Sequence, residues 1–156
     1  MITVRFAAEG ELDRVNELRR QVNDLHSTGK PEVFKAGFGD ELRDLIHGIR
    51  DDPEQEIVVA DSDGTVCGYA VLHHLVRPET PFMHERDFLD IDELGVDRAY
   101  RRQGAATQMI AFIREYAVSR GFNRIELNMW EFNRDALAFY EAAGFTTYRR
   151  YMEMFL

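Results

Sequence analysis

The 156-residue sequence predicts a single α/β domain spanning residues 1–156, with a mixed, mostly antiparallel central sheet flanked by helices. Two observations lead to this fold class. Short runs with apolar residues at every second position interleave with longer runs whose apolar residues recur every three or four positions, as in strands and amphipathic helices. The hydrophobic fraction of 45% is also sufficient for a buried core at this chain length.

The first half of the chain predicts two helices between strands. Gly29 and Pro31 end the first helical stripe, and Ser62-Asp63-Gly64 has the composition of a hairpin turn. The predicted elements are a strand at Ile2–Ala7, a helix carrying Leu12, Val15, Leu18, Val22 and Leu25, a helix at Asp40–Arg50, and strands at Glu56–Asp61 and Val66–Leu75.

The second half predicts a strand-helix-strand-helix order with a closing segment. Gly121 and Gly144 are natural helix stops, and Asn133 is a natural helix N-cap. The predicted elements are a strand at Phe88–Val96, a helix from Ala105 to Arg120, a strand at Arg124–Met129, a helix from Asn133 to Gly144, and one or two strands in Thr146–Leu156.

A basic, glycine-bearing loop lies between the strand that ends at Val96 and the following helix. Backbone N–H groups in the first helical turn have no intrahelical partner, and the helix dipole adds positive charge there. Gly104 permits a ligand to approach the backbone, and Arg101 and Arg102 add charge beside it. The loop therefore predicts a phosphate or pyrophosphate site. It lacks the Lys-Ser/Thr of a P-loop and the three glycines of a dinucleotide fingerprint.

Two motifs in this half resemble one known family. Arg101-x-x-Gly104-x-Ala106 is similar to the pyrophosphate loop of the GNAT superfamily, the acetyl-CoA-dependent N-acetyltransferases. Asn133-x-x-Ala136-x-x-x-Tyr140-x-x-x-Gly144-Phe145 resembles the second half of that family's cofactor site. The resemblance implies a GNAT-like fold whose strands splay apart at the cofactor site.

Acetyl-CoA is the acyl donor that the resemblance implies. Backbone groups at the end of the central strand are expected to pair with its pantetheine arm, much as an added strand would. Asn133 is equally well explained as a plain helix N-cap. The expected cofactor contacts are Leu94, Gly95, Val96, Arg101, Arg102, Gln103, Gly104, Ala105, Ala106, Thr107, Asn128, Asn133, Ala136 and Phe139.

Direct attack of an amine on a thioester requires a base for the amine and an acid for the thiolate. Tyr140 matches the family tyrosine that protonates the leaving thiolate; its alternative is a core aromatic. Asp92 and Glu93 are the candidate bases, acting directly or through a water. Strict alternation places Glu93 on one face with Ile91 and Gly95, and Asp92 on the other face. We prefer Glu93, with a carboxylate that only orders the strand as the alternative.

The acceptor is expected to be a primary amine, in a small molecule or a peptide. His26 and Phe34 lie in the helical region that walls the acceptor pocket of related folds, and Phe82 and Met83 could approach from a proline-flanked loop. An aminoglycoside-type acetyltransferase is the rival interpretation. A non-catalytic domain that binds or senses coenzyme A is a second alternative interpretation.

The composition of the chain narrows the classes of partner that it is expected to bind. A formal charge of -9 argues against nucleic acid, and no apolar run is long enough for a membrane span. Steering of cationic amines is one consequence of that charge, and simple solubility is the other. The sequence shows no signal peptide, no metal-ligand spacing and one cysteine, Cys67, which predicts a metal-free cytoplasmic protein; a homodimer is possible.

Overall fold

The computed structural model describes residues 1–156 and has the predicted α/β architecture. Its strands and helices are β1 (Ile2–Phe6), α1 (Leu12–Gly29), α2 (Asp40–Asp51), β2 (Gln55–Ser62), β3 (Thr65–Arg77), β4 (Arg86–Val96), α3 (Ala105–Ser119), β5 (Ile125–Leu127) and α4 (Arg134–Ala142).

One open sheet runs in the order β1-β2-β3-β4-β5. The first three pairings are antiparallel, and β5 lies parallel to β4, which requires α3 to cross over the sheet between them. The prediction of a mixed, mostly antiparallel sheet flanked by helices is confirmed.

Helices cover both faces of the sheet and bury three apolar clusters, one on the first face and two on the second. On one face, called here the α1 face, Leu18 of α1 and Ile46 of α2 pack against Tyr69 and Val71 of β3. On the opposite α3 face, Ile113 of α3 packs against β3 and β4, with α4 beside it. Side chains at alternate positions of a strand therefore belong to different clusters, and this assigns a face to each strand residue.

The predicted closing strands in Thr146–Leu156 do not form, so that prediction is wrong. Alternating side chains are not enough for a strand, because its backbone also needs a partner. A groove of about 550 Å³ lies between β5 and residues Gly144–Tyr148. The segment is held by side chains instead: the Tyr148 hydroxyl donates to Glu126, and Lys30 pairs with Glu153.

A β-bulge in β4 changes the predicted faces of its acidic residues. Ile91 lies opposite Leu72 and Glu93 lies opposite Val71, so Asp92 is an extra residue without a partner on β3. Ile91 joins the α3-face cluster. The prediction that Ile91 and Glu93 share a face is therefore wrong, because strict alternation does not pass through a bulge.

Gly95 is required by packing on the α1 face. A Cβ atom at this position would lie 2.7 Å from Cγ2 of Val22 and 2.8 Å from Cε1 of Tyr69. Both distances are shorter than real Cβ contacts. The absent side chain thus lets α1 and the Tyr69 ring lie directly against β4.

Gly95→Ala is expected to destabilise the fold by about 1–3 kcal/mol, since overpacking displaces Val22 or Tyr69. Urea unfolding measures the change. Gly48→Ala is the matched control: it lies in α2 with open space around its Cβ, and it should stabilise the fold by up to about 1 kcal/mol. Equal stability of Gly95→Ala and the unmodified protein would contradict the packing argument.

Candidate active site

The site begins where β4 and β5 part. The parallel pairing ends at Ile91 and Leu127, but β4 continues to Val96. Residues 92–96 of β4 therefore have no strand partner on the β5 side. Apart from the Val96 carbonyl, which accepts a hydrogen bond from Arg101, the backbone groups along that edge can bind an extended ligand. Leu94 and Val96 pack on the α3 face beneath this free edge. Pairing stops here because β5 itself ends at Leu127, and a divergence of the two strands stays a prediction.

The basic loop and the start of α3 lie directly beyond Val96. Gly104 caps the helix with a positive φ of 88°, and open space surrounds the place where a Cβ would be. The first backbone bond of the helix runs from Gln108 N–H to the Gly104 carbonyl. The N–H groups of residues 105–107 precede that bond and have no intrahelical acceptor. They form an open cluster of donors at the positive end of a 15-residue helix.

Side chains of this loop are mostly exposed. Arg101, Arg102, Gln103 and Thr107 lie on the surface, whereas Ala105 is 2% exposed and packs inward. Two of them also brace the loop. Arg101 Nε donates to the Val96 carbonyl, and the Gln103 amide donates to the Ala99 carbonyl.

Helix α4 supplies the other predicted cofactor residues. Asn133 is its N-cap, because its side-chain oxygen accepts a hydrogen bond of 3.2 Å from Ala136 N–H. Phe139 packs in the α3-face cluster, and Asn128 is exposed just after β5. The capping interpretation of Asn133 is thus confirmed, and a contact with pantetheine stays a prediction.

Tyr140 lies on α4 among aromatic neighbours. Its ring contacts Phe139 and Phe145 at centroid distances of 5.3 and 5.7 Å. Burial raises the pKa of Tyr140 to about 12, and its hydroxyl has no hydrogen-bond partner within the chain. The phenol is therefore protonated across the physiological range, with a donor to offer a ligand.

Glu93 is held in a network on the α1 face. The buried Arg19 donates to both carboxylate oxygens of Glu93 over 3.0 and 3.1 Å, and the Tyr69 hydroxyl donates over 2.9 Å. Burial raises the pKa of Tyr69 well above its ordinary value, and the Glu93 charge adds to this effect. The lone pairs of Glu93 are largely occupied by these three donors.

Asp92 differs from its neighbour in having no ion-pair partner. Loss of solvation raises its pKa, and the Glu93 charge adds to the shift, although its side chain still reaches solvent. His73 and Arg19, which also interact with it, lie on the α1 face. The bulge therefore places two consecutive carboxylates close to that face, one ion-paired and one free.

Asp90 is a third carboxylate of β4 and is 8% exposed. Leu89 and Ile91 both pack on the α3 face, so Asp90 lies on the α1 face. Burial raises its pKa from 3.8 to about 6, with smaller contributions from the charges of Asp92 and Glu126. No hydrogen bond contributes to the shift. Asp90 was missed in the sequence, although Asp90, Asp92 and Glu93 follow one another closely in a strand.

Aromatic residues group around the two acceptor-pocket residues that were predicted in the helical region. The predicted residues His26 and Phe34 stack at 4.9 Å between ring centroids. Trp130 and Phe132, which sequence reasoning missed, complete the group: Phe34 contacts Trp130 at 5.0 Å, and His26 contacts Phe132 at 6.2 Å. Burial lowers the pKa of His26, with Glu93 opposing, so its imidazole is neutral near pH 7. The signal available was the single tryptophan, located between two site motifs.

Phe82 and Met83 lie elsewhere. They belong to the β3–β4 connection, where Thr80 and Met83 form an isolated bridge, and Phe82 is 85% exposed. This connection precedes β4, whereas the free edge is at the other end of that strand. At the usual rise per residue the two ends are about 20 Å or more apart. The structure does not bring Phe82 and Met83 together with His26 and Phe34.

The chain belongs to the acetyltransferase (GNAT) family, whose model matches residues 19–145. This range includes the free edge of β4, the start of α3 and helix α4. No curated protein matches the sequence.

Solved structures share the fold at low sequence identity. A tetramutant of the BH1408 protein from Bacillus halodurans is similar with 24% identity and a TM-score of 0.93 over 99% of both chains. Aminoglycoside N-acetyltransferase AAC(6')-Iy in complex with CoA is similar with 18% identity and a TM-score of 0.76, over 100% of this chain and 95% of that one. Aminoglycoside acetyltransferase meta-AAC0020 from an uncultured soil metagenomic sample, in complex with sisomicin, has 16% identity and a TM-score of 0.71, over 99% and 95%.

The structure contains neither a metal-site arrangement of side chains nor a helix fit to span a membrane. No cluster of three or more His, Cys, Asp or Glu side chains has the arrangement of a metal site. None of the four helices combines the length and the apolar character that crossing a bilayer demands.

Asp90→Asn is expected to stabilise the fold at pH 7.5 by about 3 kcal/mol, the equivalent of the shift from 3.8 to about 6. A raised carboxyl pKa means that the folded chain binds the proton more tightly than the unfolded chain. Stability is therefore lost as pH rises from about 4 to about 6, and the amide abolishes this loss.

Urea unfolding at pH 4 and pH 7.5 measures the effect. Asp87→Asn, on the same strand but exposed beside His74, is the control. The pKa argument is refuted if the free energies of unfolding of Asp90→Asn and the unmodified protein differ by the same amount at pH 4 and at pH 7.5.

Proposed function

We propose that the chain is an N-acetyltransferase that transfers acetyl from acetyl-CoA to a primary amine within a ternary complex. One observation carries the proposal: the free edge of β4 leads directly to the open N-terminus of α3. A strand edge suits the amide-bearing pantetheine arm, and a helix N-terminus suits the pyrophosphate. The two features follow one another along the chain, in the order that the pantetheine arm and the pyrophosphate take in one extended molecule.

The residues of the loop fit that ligand. Gly104 leaves open space in front of the N–H groups of residues 105–107. Arg101 and Arg102 are exposed beside these donors, so they can neutralise phosphate charge. Bound acetyl-CoA supplies the thioester that carries the acetyl group.

Gly104→Trp is expected to weaken CoA binding at least tenfold, because the indole would occupy the space before the helix N-terminus. Calorimetry with CoA measures the affinity. Gly121→Trp is the matched control, since Gly121 also has a positive φ and open surroundings but lies at the other end of α3. Equal losses in both variants would attribute the effect to backbone strain and contradict the assignment.

Tyr140 is assigned as the proton donor to the leaving thiolate. Its hydroxyl is protonated at neutral pH and has no partner in the chain. Its ring packs on the same α3-face cluster as Leu94 of the β4 free edge. A phenol that gives its proton to a departing thiolate makes that interaction only as the bond breaks, which accelerates the chemical step.

Asp92 is assigned as the group that takes a proton from the acceptor ammonium, directly or through a water. A base needs a free lone pair, and the donors around Glu93 occupy its oxygens. Asp92 has no such partner, and its raised pKa makes it more basic than an ordinary aspartate. Glu93 is then a positioning residue that supports the bulge.

Tyr140→Phe is expected to lower kcat by about 10²–10⁴-fold with little change in CoA affinity, since the proton is used only in the transition state. Thiol release from acetyl-CoA measures turnover. Tyr116→Phe, on α3 beside Arg120, is the control and should retain full activity. Undiminished kcat in Tyr140→Phe would remove this residue from the mechanism.

The proposed acceptor class is supported by the amine chemistry and by the similar solved structures. AAC(6')-Iy and meta-AAC0020 are aminoglycoside acetyltransferases, so an aminoglycoside is the second candidate acceptor. A domain that binds CoA without turnover is the non-catalytic candidate. Thiol release with a panel of monoamines, diamines, amino acids, aminoglycosides and short peptides separates these, because a sensor releases none.

A further inference from the structure

Asp90 has no role in the proposed chemistry, yet it is a buried charge without a partner. Its side chain is 8% exposed and makes no hydrogen bond within the chain. Arg86 Nε is the one side-chain polar atom that is both shielded from solvent and without a hydrogen-bond partner. Because the Asp90 oxygens have no partner either, they must still touch solvent. A carboxylate in this position is costly unless a cation or a donor reaches it.

The groups around Asp90 leave its charge largely uncompensated. Across the sheet it lies opposite His73 of β3 and Glu126 of β5, and Asp92 follows on its own strand. His73 and Arg77 act to lower its pKa, but burial, Asp92 and Glu126 outweigh them.

Glu126 is not in the same situation as Asp90. Arg124 and Arg86 pair with it at 2.9 and 3.3 Å. Arg86 is the first residue of β4, and Arg124 immediately precedes β5. Asp90 and Asp92 thus both lack an ion-pair partner, and of these two Asp90 is the buried one, at 8% exposure.

Asp90 lies on the α1 face, and the bulge places the proposed base Asp92 close to that face, two positions further along β4. Successive residues on one face of a strand are about 6–7 Å apart. A primary amine that donates its proton to Asp92 therefore has Asp90 within reach of a second group at that spacing.

We propose that Asp90 is the subsite for a second ammonium group, and that the acceptor class is the alkyl diamines and polyamines. This inference rests on the proposed function. Four methylenes hold two nitrogens about 6 Å apart when extended, which is close to the general spacing of residues two positions apart in a strand. The reacting nitrogen lies at Asp92 beside the free edge of β4, and the other ammonium pairs with Asp90.

The pairing replaces a lone buried charge by a hydrogen-bonded ion pair. Binding a cation favours the ionised carboxylate, so the diamine is expected to bind better as pH rises through about 6, where Asp90 loses its proton. A monoamine offers no partner to Asp90 and lacks this dependence.

The experiment compares 1,4-diaminobutane with 1-aminobutane at pH 7.5 by thiol release. The unmodified protein is expected to favour the diamine by at least tenfold in kcat/KM, and Asp90→Asn to reduce that preference to about twofold or less. The rate with 1-aminobutane should change little in Asp90→Asn. Asp87→Asn is the control and should keep the full preference. A series of two to eight methylenes should show an optimum near four.

Calorimetry of 1,4-diaminobutane with the CoA-loaded protein provides a readout besides turnover. The affinity should fall at least tenfold in Asp90→Asn. Equal affinity in both proteins, or equal kcat/KM for the two amines in the unmodified protein, would overturn the subsite while leaving acetyl transfer intact. Absence of thiol release with every amine would reject the proposed function, and the calorimetric comparison would still decide whether Asp90 binds an ammonium.

Discussion

The ion pair between Arg19 and Glu93 ties the first helix to the centre of the sheet. Arg19 is buried in α1 and donates to Glu93 with two nitrogens, and it also donates to the Leu42 carbonyl at the start of α2. Removing one partner of such a pair typically costs about 3–5 kcal/mol, because the other charge is left buried. One guanidinium thus fixes two helices against β4.

The same pair determines the chemistry of the residue beside it. Glu93 follows the bulged Asp92, so holding Glu93 also holds the backbone that presents Asp92. Tyr69 of β3 completes the network by donating its hydroxyl to Glu93. Its ring fits there because Gly95 has no side chain. A carboxylate that serves structure and a carboxylate that is free for a proton are therefore separated at adjacent positions.

The local geometry of the proposed cofactor site could be predicted from sequence, because its determinants lie close together in the chain. Gly104 needs its positive φ at the start of α3, and Asn133 caps α4 three residues before Ala136. The acceptor half could not be predicted in this way. His26 meets Phe132 only through tertiary packing, and the bulge at Asp92 depends on pairing with β3, which no local pattern reports.

The closing segment shows the same limit for the fold. Its alternation of apolar residues is real, but β5 is only three residues long and a groove separates it from the segment. Long-range backbone pairing decides strand formation, whereas alternation decides only which side chains share a face. Helices α1 to α4 were predictable within a few residues because their hydrogen bonds are internal to each segment.

Net charge alone is a weak guide to the acceptor, and the distribution of charge is more informative. The formal charge of -9 is compatible with simple solubility, and most carboxylates on the surface are paired or solvated. A charge matters for recognition when the fold keeps it dehydrated and unpaired, since a ligand can then relieve that cost. Asp90 meets this condition and Glu126 does not, because two arginines already compensate Glu126. The proposed preference of this site for a cation thus depends on one carboxylate in β4 far more than on the acidity of the whole chain.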